Sequence, residues 1–165
     1  MKNQFLSLFL LIISANPLSS QCDVRISNRS DGVRIKYLNP ELIGGDKKYL
    51  IGLSVSTNGE SYFLSVDILY SNNPLKIQSP FRIITEDNSA LELKMYRCEM
   101  AKIGDEIHTL GIFYLNTNYM QALIGSNLRT VVFTDQNNLV CITDVKLNKD
   151  ILKKQIKVPS LNPKF

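Results

Sequence analysis

The chain has 165 residues, with 19 Lys and Arg against 15 Asp and Glu, a single His and no Trp. The formal net charge of +4 is scattered among acids except near the C-terminus, so the one-sided basic concentration of a nucleic-acid binder is missing. Three widely separated cysteines and one histidine give no zinc-ligand spacing, and no cofactor is expected.

The first twenty residues, MKNQFLSLFLLIISANPLSS, have the layout of a secretory signal peptide. Lys2 supplies the basic start, Leu8 to Ile13 an unbroken apolar run, and Ser19-Ser20 the small-residue cleavage site. Asn16 and Pro17 end the run too early for a retained anchor helix. Cleavage after Ser20 leaves Gln21-Cys22 at the mature start; cleavage after Ala15 is an alternative that puts Pro17 close to the cut. A third reading makes Cys22 the lipid-modified terminus of a lipoprotein, against which Gln21 stands where Gly, Ala or Ser is usual. The expectation is a signal peptide over 1–20 and one β-rich domain over 21–165, secreted or periplasmic, with a loose tail from about Pro159 and no transmembrane segment in the mature chain. Roughly 145 residues suffice for a core that buries about two-thirds of the unfolded surface.

In an oxidising compartment Cys22, Cys98 and Cys141 are free to pair, but not all within one chain. A Cys98–Cys141 bridge between strands is expected, with Cys22 in place of either, or a free thiol, left open.

Taken in chain order, VRIKYL after Asp31-Gly32 reads as a strand. The segment KKYLIGLSVSTNGESYFLSVDILY is a hairpin turning on Asn58-Gly59, which sets Val55 opposite Tyr62, Leu53 opposite Leu64, Ile51 opposite Val66 and Tyr49 opposite Ile68. Ser54, Ser56, Ser65 and Asp67 then share a largely wet face. In FRIITEDNSALELKMY a loop at Asp87-Asn88-Ser89 pairs Phe81 with Met95, Ile83 with Leu93 and Thr85 with Leu91. EIHTLGIFYL is a further strand, and Asn118 to Gln121 opens a short helix with Met120, Leu123 and Ile124 on one face and Gly125 as its stop. In LRTVVFTDQNNLVCITDVKL a loop at Gln136-Asn137 aligns Val132 with Cys141, Phe133 with Val140, Val131 with Ile142 and Arg129 with Asp144. Both faces of that hairpin are apolar, which predicts central, doubly covered strands. NKDILKKQIK forms a last helical turn or two. The fold class expected is mainly β: an antiparallel β-sandwich or half-open barrel of successive hairpins, with one short helix and a C-terminal helical turn.

The segments CDVRISNRSDGVRIKYLNPELIG, SVSTNGESYFLSVDILY, FRIITEDNSALELKMY and FYLNTNYMQALIGSNLRTVVFTDQ together resemble a group of short exported proteins of unassigned function from Bacteroidota-type bacteria. The resemblance implies envelope location and a β-rich fold, and brings no site residues with it.

His108 is the only candidate base, and no G-x-S-x-G elbow or Cys-His signature accompanies it. It reads as a strand-surface histidine. Asp67, Glu86, Asp87, Glu92 and Asp144 are the acids from which a glycosidase pair would come. Without Trp, sugar stacking falls to Tyr37, Tyr62, Tyr70, Tyr96 and Tyr114, of which Tyr62 is assigned to the core. Lys146, Lys149, Lys153, Lys154 and Lys157 alternate with Ile151, Leu152 and Ile156; a helix docked on the sheet with its lysines in solvent accounts for this more simply than a lipid-binding one. Asn28-Arg29-Ser30 matches a glycosylation acceptor that a bacterium would not use. With no catalytic signature, the chain is expected to be an exported, non-catalytic binding module of the bacterial envelope whose partner is an envelope protein or surface ligand. The alternatives are an envelope hydrolase using paired carboxylates and a carrier of a small apolar ligand.

Overall fold

The computed structural model describes residues 24–28, 32, 34–158 and 161. The leader and its cleavage site, Cys22, and Arg29 and Ser30 of the acceptor pattern lie outside the described residues.

The strands are β1 (Arg25–Asn28), β2 (Arg34–Tyr37), β3 (Glu41–Gly45), β4 (Tyr49–Thr57), β5 (Tyr62–Tyr70), β6 (Ile77–Thr85), β7 (Ala90–Leu93), β8 (Met95–Ile103), β9 (Glu106–Leu115), β10 (Leu128–Asp135) and β11 (Val140–Asp144). The helices are α1 (Thr117–Gly125) and α2 (Ile151–Ile156). A seven-stranded, curled half-barrel sheet runs β1-β2-β4-β5-β9-β8, with β3 also on the edge of β4, and a four-stranded sheet runs β11-β10-β6-β7. This is the mainly β fold expected, with its short helix and its C-terminal helical turn. Among the described residues no helix is long and apolar enough to cross a membrane.

Alternating residues of both sheets meet in one apolar core. Ile51, Leu53, Leu64 and Phe113 from the large sheet pack against Phe81, Ile83, Leu93 and Phe133 from the small one. The Phe81 ring lies 5.1 Å from that of Phe113 and 6.2 Å from that of Phe133, so one side chain joins the two sheets.

The first two hairpins bury the expected face in other registers, and the face of the first that was expected to be wet is partly covered, with Ser54 and Ser56 buried where the sheet curls over them. In the first, Thr57 pairs with Tyr62, Val55 with Leu64 and Leu53 with Val66, two residues from the expected alignment. The loop is four residues wide because the Asn58 side chain accepts from the backbone N–H of Glu60 and of Ser61, and the Thr57 hydroxyl donates to the Ser61 carbonyl. In the second, Phe81 pairs with Leu93 and Arg82 with Glu92, again a shift of two. The third is off by one: Val132 pairs with Ile142 and Phe133 with Cys141. These last two loops use one device, a three-residue turn ending on an Asn at positive φ, 68° at Asn88 and 62° at Asn138.

Two consequences correct the sequence reading of the third hairpin. Asp144 stands opposite Thr130, whose hydroxyl donates to it at 3.1 Å, and not opposite Arg129, which instead reaches Asn88. The hairpin is also not doubly covered, since β11 is an edge strand with Val140 and Ile142 exposed.

The expected Cys98–Cys141 disulfide is absent; both are free thiols. Cys98 lies on β8, which pairs with β9 in the large sheet, and Cys141 lies on β11, which pairs with β10 in the small one, so the two share no strand pair. Burial pushes both thiols above the ordinary cysteine range.

Asn116, two residues before the expected start, caps α1 by accepting from Tyr119 N–H, and the helix buries Met120 and Leu123. α2 docks on the sheet by burying Ile151, Leu152, Gln155 and Ile156, with Lys154 outward on Asp150 at 3.0 Å. Of the residues from Pro159 onward only Leu161 is described; it is buried, and its carbonyl accepts from the Tyr62 hydroxyl.

The outer edge of β4 is shared. β3 pairs with it as far as Leu53 and β2 from Ser56 onward, which leaves a break at Val55. Gln155 of α2 fills the break: Val55 N–H donates to its Oε1 at 2.7 Å, and its Nε2 donates to the Asn39 carbonyl at 3.3 Å. Leu38 N–H meets the Val55 carbonyl at 3.3 Å, so the interrupted ladder has no orphaned group there.

Candidate functional site

The face of the large sheet turned away from the core carries the site. Strand alternation brings to it the residues that the inward-facing Leu53, Val55, Leu64 and Val66 exclude from the interior. Cross-strand pairing sorts them into rows. Tyr37, Ser56, Phe63 and Tyr114 form the first, from β2 across to β9. Ser54, Ser65, Ile112 and Arg97 form the second, and Asp67, Leu110 and Glu99 the third. His108 follows, opposite Leu69 and Ala101.

The sheet curls about this face. Arg25 and Ser27 of β1 and Tyr37 of β2 line one side, and Tyr96, Arg97 and Glu99 of β8 the other, around a groove of about 610 Å³. Six strands thus contribute to a single concavity, which a flat sheet would not allow.

Its chemistry is mixed. At the aromatic end, Phe63, Tyr96 and Tyr114 lie with ring centroids 5.2 to 5.6 Å apart, and Tyr96 and Tyr114 are 44% and 42% exposed. The serine hydroxyls follow, Ser56 and Ser65 in loose contact at 3.4 Å. At the far end His108 Nδ1 lies 2.7 Å from Asp67 Oδ1, with both side chains mostly buried at 14% and 16% exposure. Glu106 Oε2 lies 3.7 Å from the other ring nitrogen. Arg97 is held by Glu99 at 2.6 Å.

His108 is therefore not the lone strand-surface histidine expected. Its carboxylate partner comes from β5, forty-one positions earlier, and only the β5–β9 pairing brings the two together. Of the acids considered for a carboxylate pair, Asp67 alone is in the groove. Glu86 and Asp87 sit at the β6–β7 turn. Hydrogen bonds from Lys149 and Asn127 hold Glu86 below the usual carboxylate range, and those from the Thr85 hydroxyl and Ser89 N–H do the same for Asp87. Glu92 pairs with Arg82 at 2.8 Å and Asp144 accepts from Thr130. Tyr37 and Tyr96 line the groove and Tyr114 adjoins it, while Tyr62 is in the core as expected. Tyr70 rings with Tyr49 toward the core at 6.0 Å, and burial drives its hydroxyl well above the usual range. Among the described residues no cluster of His, Cys, Asp and Glu is arranged to hold a metal ion.

Sequence reasoning missed Arg25, Phe63, Arg97 and Glu99. The turn Gly104-Asp105 between YRCEMAKI and EIHTLGIFYL was a signal for the β8–β9 hairpin that presents two of them.

A second cavity, of about 630 Å³, lies at the start of β4 and the end of β5, opposite the loop that joins them. Its polar groups serve the local turns: Asp46 accepts from Lys48 and Tyr49 N–H, and the Ser71 hydroxyl donates to the Lys48 carbonyl. The groove is the better site because most of its polar side chains project from regular strands; of them Asn58 alone is seen to serve a local turn.

No family model, curated protein or solved structure matches the chain. The residues themselves must carry the functional argument.

Proposed function

We propose that this chain is an exported, non-catalytic binding module of the bacterial envelope, and that it takes an envelope protein or surface ligand in the groove of the curled sheet. The observation that carries the reading is the groove itself: a concavity built by six strands, with an aromatic end, a serine floor and a part-buried Asp–His pair. Such concave surfaces with a few convergent polar groups are where ligands bind. The export half of the proposal rests on the leader-like first twenty residues.

Ser65→Trp fills the groove from its floor without touching the core. Crosslinking pull-downs from the native envelope should recover a partner with the wild-type protein and lose it with this variant. Equal recovery from both would remove the groove from the function. N-terminal sequencing of the exported form should begin at Gln21; Met1 in cytosolic protein would overturn export, and a diacylglyceryl group on Cys22 would establish the lipoprotein form.

One observation favours the hydrolase alternative. A carboxylate on Nδ1 fixes the imidazole so that Nε2 faces outward as a base. Here Nε2 faces Glu106, and among the described residues no hydroxyl or thiol is hydrogen-bonded to it. Turnover of a cell-wall substrate that is lost in His108→Ala would establish the hydrolase and displace the module. The interior in which a carrier would hold its ligand is filled by Phe81, Phe113, Phe133 and Leu64.

A further inference from the structure

We infer that the ligand of the groove is a neutral oligosaccharide lying along the three cross-strand rows, an inference that rests on the groove being the binding site. Charge is the first argument. The groove's arginines are Arg25 and Arg97 and its carboxylates Asp67 and Glu99, so its formal charges cancel with the histidine neutral. Arg97 is already matched to Glu99 and Asp67 to His108. A strongly charged ligand would meet no net opposite charge, and would have to break those pairs to make contacts of its own.

The second argument is what the floor can bond. The four central strands beneath the groove, β2, β4, β5 and β9, are paired on both sides, so their backbone N–H and C=O groups are consumed by the ladder, and free edges lie only at the rims, on β1 and β8. An extended peptide binds a sheet by adding to a free edge, which would place it along a rim and leave the side chains of the floor unused. A fatty acyl chain is excluded by the opposite feature. It would strip water from the Arg97–Glu99 ion pair, whose side chains are 56% and 40% exposed, and offer it no hydrogen bond in return, which costs free energy.

A sugar answers both features at once. Its C–H face stacks on an aromatic ring, and its hydroxyls both donate and accept, which suits serines and a carboxylate. The rows supply these in order, from Tyr96 and Tyr114 through Ser65 to Asp67. Phe63 to Asp67 spans four residues of strand, about 13 Å at the rise of a strand, which fits more than one ring. Tyr114 and Tyr96 contact each other at 5.2 Å in an edge arrangement, which leaves a ring face open to stack.

The test is titration of the isotope-labelled full exported chain, followed by backbone amide shifts, with cellohexaose, xylohexaose, laminarihexaose, mannohexaose and chitohexaose. Stearate and a hexa-alanine peptide are the competing probes. At least one hexasaccharide should move the amides of Ser65, Leu110 and Tyr114. Tyr96→Ala should weaken that binding about tenfold or more with the melting temperature unchanged, and Tyr96→Phe should retain most of it. If only stearate or the peptide moves the groove amides, the oligosaccharide inference falls and the groove reading stands. If a sugar binds but shifts only amides outside the groove, the groove reading falls. If no hexasaccharide at millimolar concentration moves a groove amide, the inference is overturned.

Discussion

Replacing Gln155 by Ala tests whether a side chain from the C-terminal helix completes the edge of β4. The glutamine is 1% exposed, and its two hydrogen bonds, at 2.7 Å from Val55 N–H and 3.3 Å to the Asn39 carbonyl, close the break between β2 and β3. Truncation leaves the Val55 N–H buried beside a fully buried side chain, which costs about 1–3 kcal/mol. The deleted methylene adds about 0.8 kcal/mol of lost burial. The expected destabilisation is thus about 2–4 kcal/mol, a fall in melting temperature of about 5–15 °C for a chain of this size. Gln155→Met separates the two contributions, since it keeps the volume and removes both bonds; about 1–3 kcal/mol should remain. Urea unfolding gives the free energies, and hydrogen exchange at the Val55 amide reports the bond directly. Lys154→Ala, one residue away, breaks only the exposed pair with Asp150 and should cost less than about 0.5 kcal/mol. A Gln155→Met protein as stable as wild type, with Val55 still protected, would refute the reasoning.

Other substitutions address other parts of the fold. Gly45→Ala should cost more than about 4 kcal/mol or prevent folding, because an added Cβ would lie 2.2 Å from the Tyr49 carbonyl oxygen in the β3–β4 pair, at φ +148°; a soluble variant with a wild-type melting curve would contradict it. Gly59→Val meets no neighbouring atom, so its cost is the backbone strain of φ +92° alone, about 1–3 kcal/mol in urea unfolding. Non-reducing mass mapping after denaturation and alkylation should recover Cys98 and Cys141 as modified thiols, and a linked peptide pair would contradict the free state. Because burial raises both thiols in the folded chain, the stability they contribute is complete below the unfolded thiol range near pH 8.5 and is lost as the pH rises through the folded values. The double variant Cys98→Ala, Cys141→Ala should therefore lose less stability between pH 8 and 11 than wild type in parallel urea titrations.

The faces of the strands were legible and their registers were not. A period-two pattern fixes which side of Ile51, Leu53 and Val55 is buried, and a slip of two residues leaves that side unchanged. What set the register was loop chemistry invisible to periodicity: the Asn58 side chain on two backbone N–H groups, and Asn88 and Asn138 at positive φ. The hairpin of Val132 and Ile142 slipped by one because both of its faces are apolar, so the pattern imposed no penalty on the error. The serine face of the first hairpin was visible from alternation alone, and it became the groove floor. The Asp67–His108 pair was not visible, since it depends on β5 meeting β9 across a long stretch of intervening chain. Arg25, Arg97 and Glu99 belong to strands whose short or weakly alternating sequences gave no period to read.

The clasp at Val55 also constrains the order in which the chain acquires its structure. The hairpins β4–β5 and β8–β9 join near neighbours in sequence, whereas the Gln155 bonds close loops of 100 and 116 residues. Long closures of this kind come late, after the local ones have lowered the entropy that they must overcome. A nascent chain therefore cannot close this edge until Gln155 has emerged from the ribosome. Until then the outer edge of β4 stays open at Val55, and the docking of α2 is the step that locks the sheet behind the hairpins already formed.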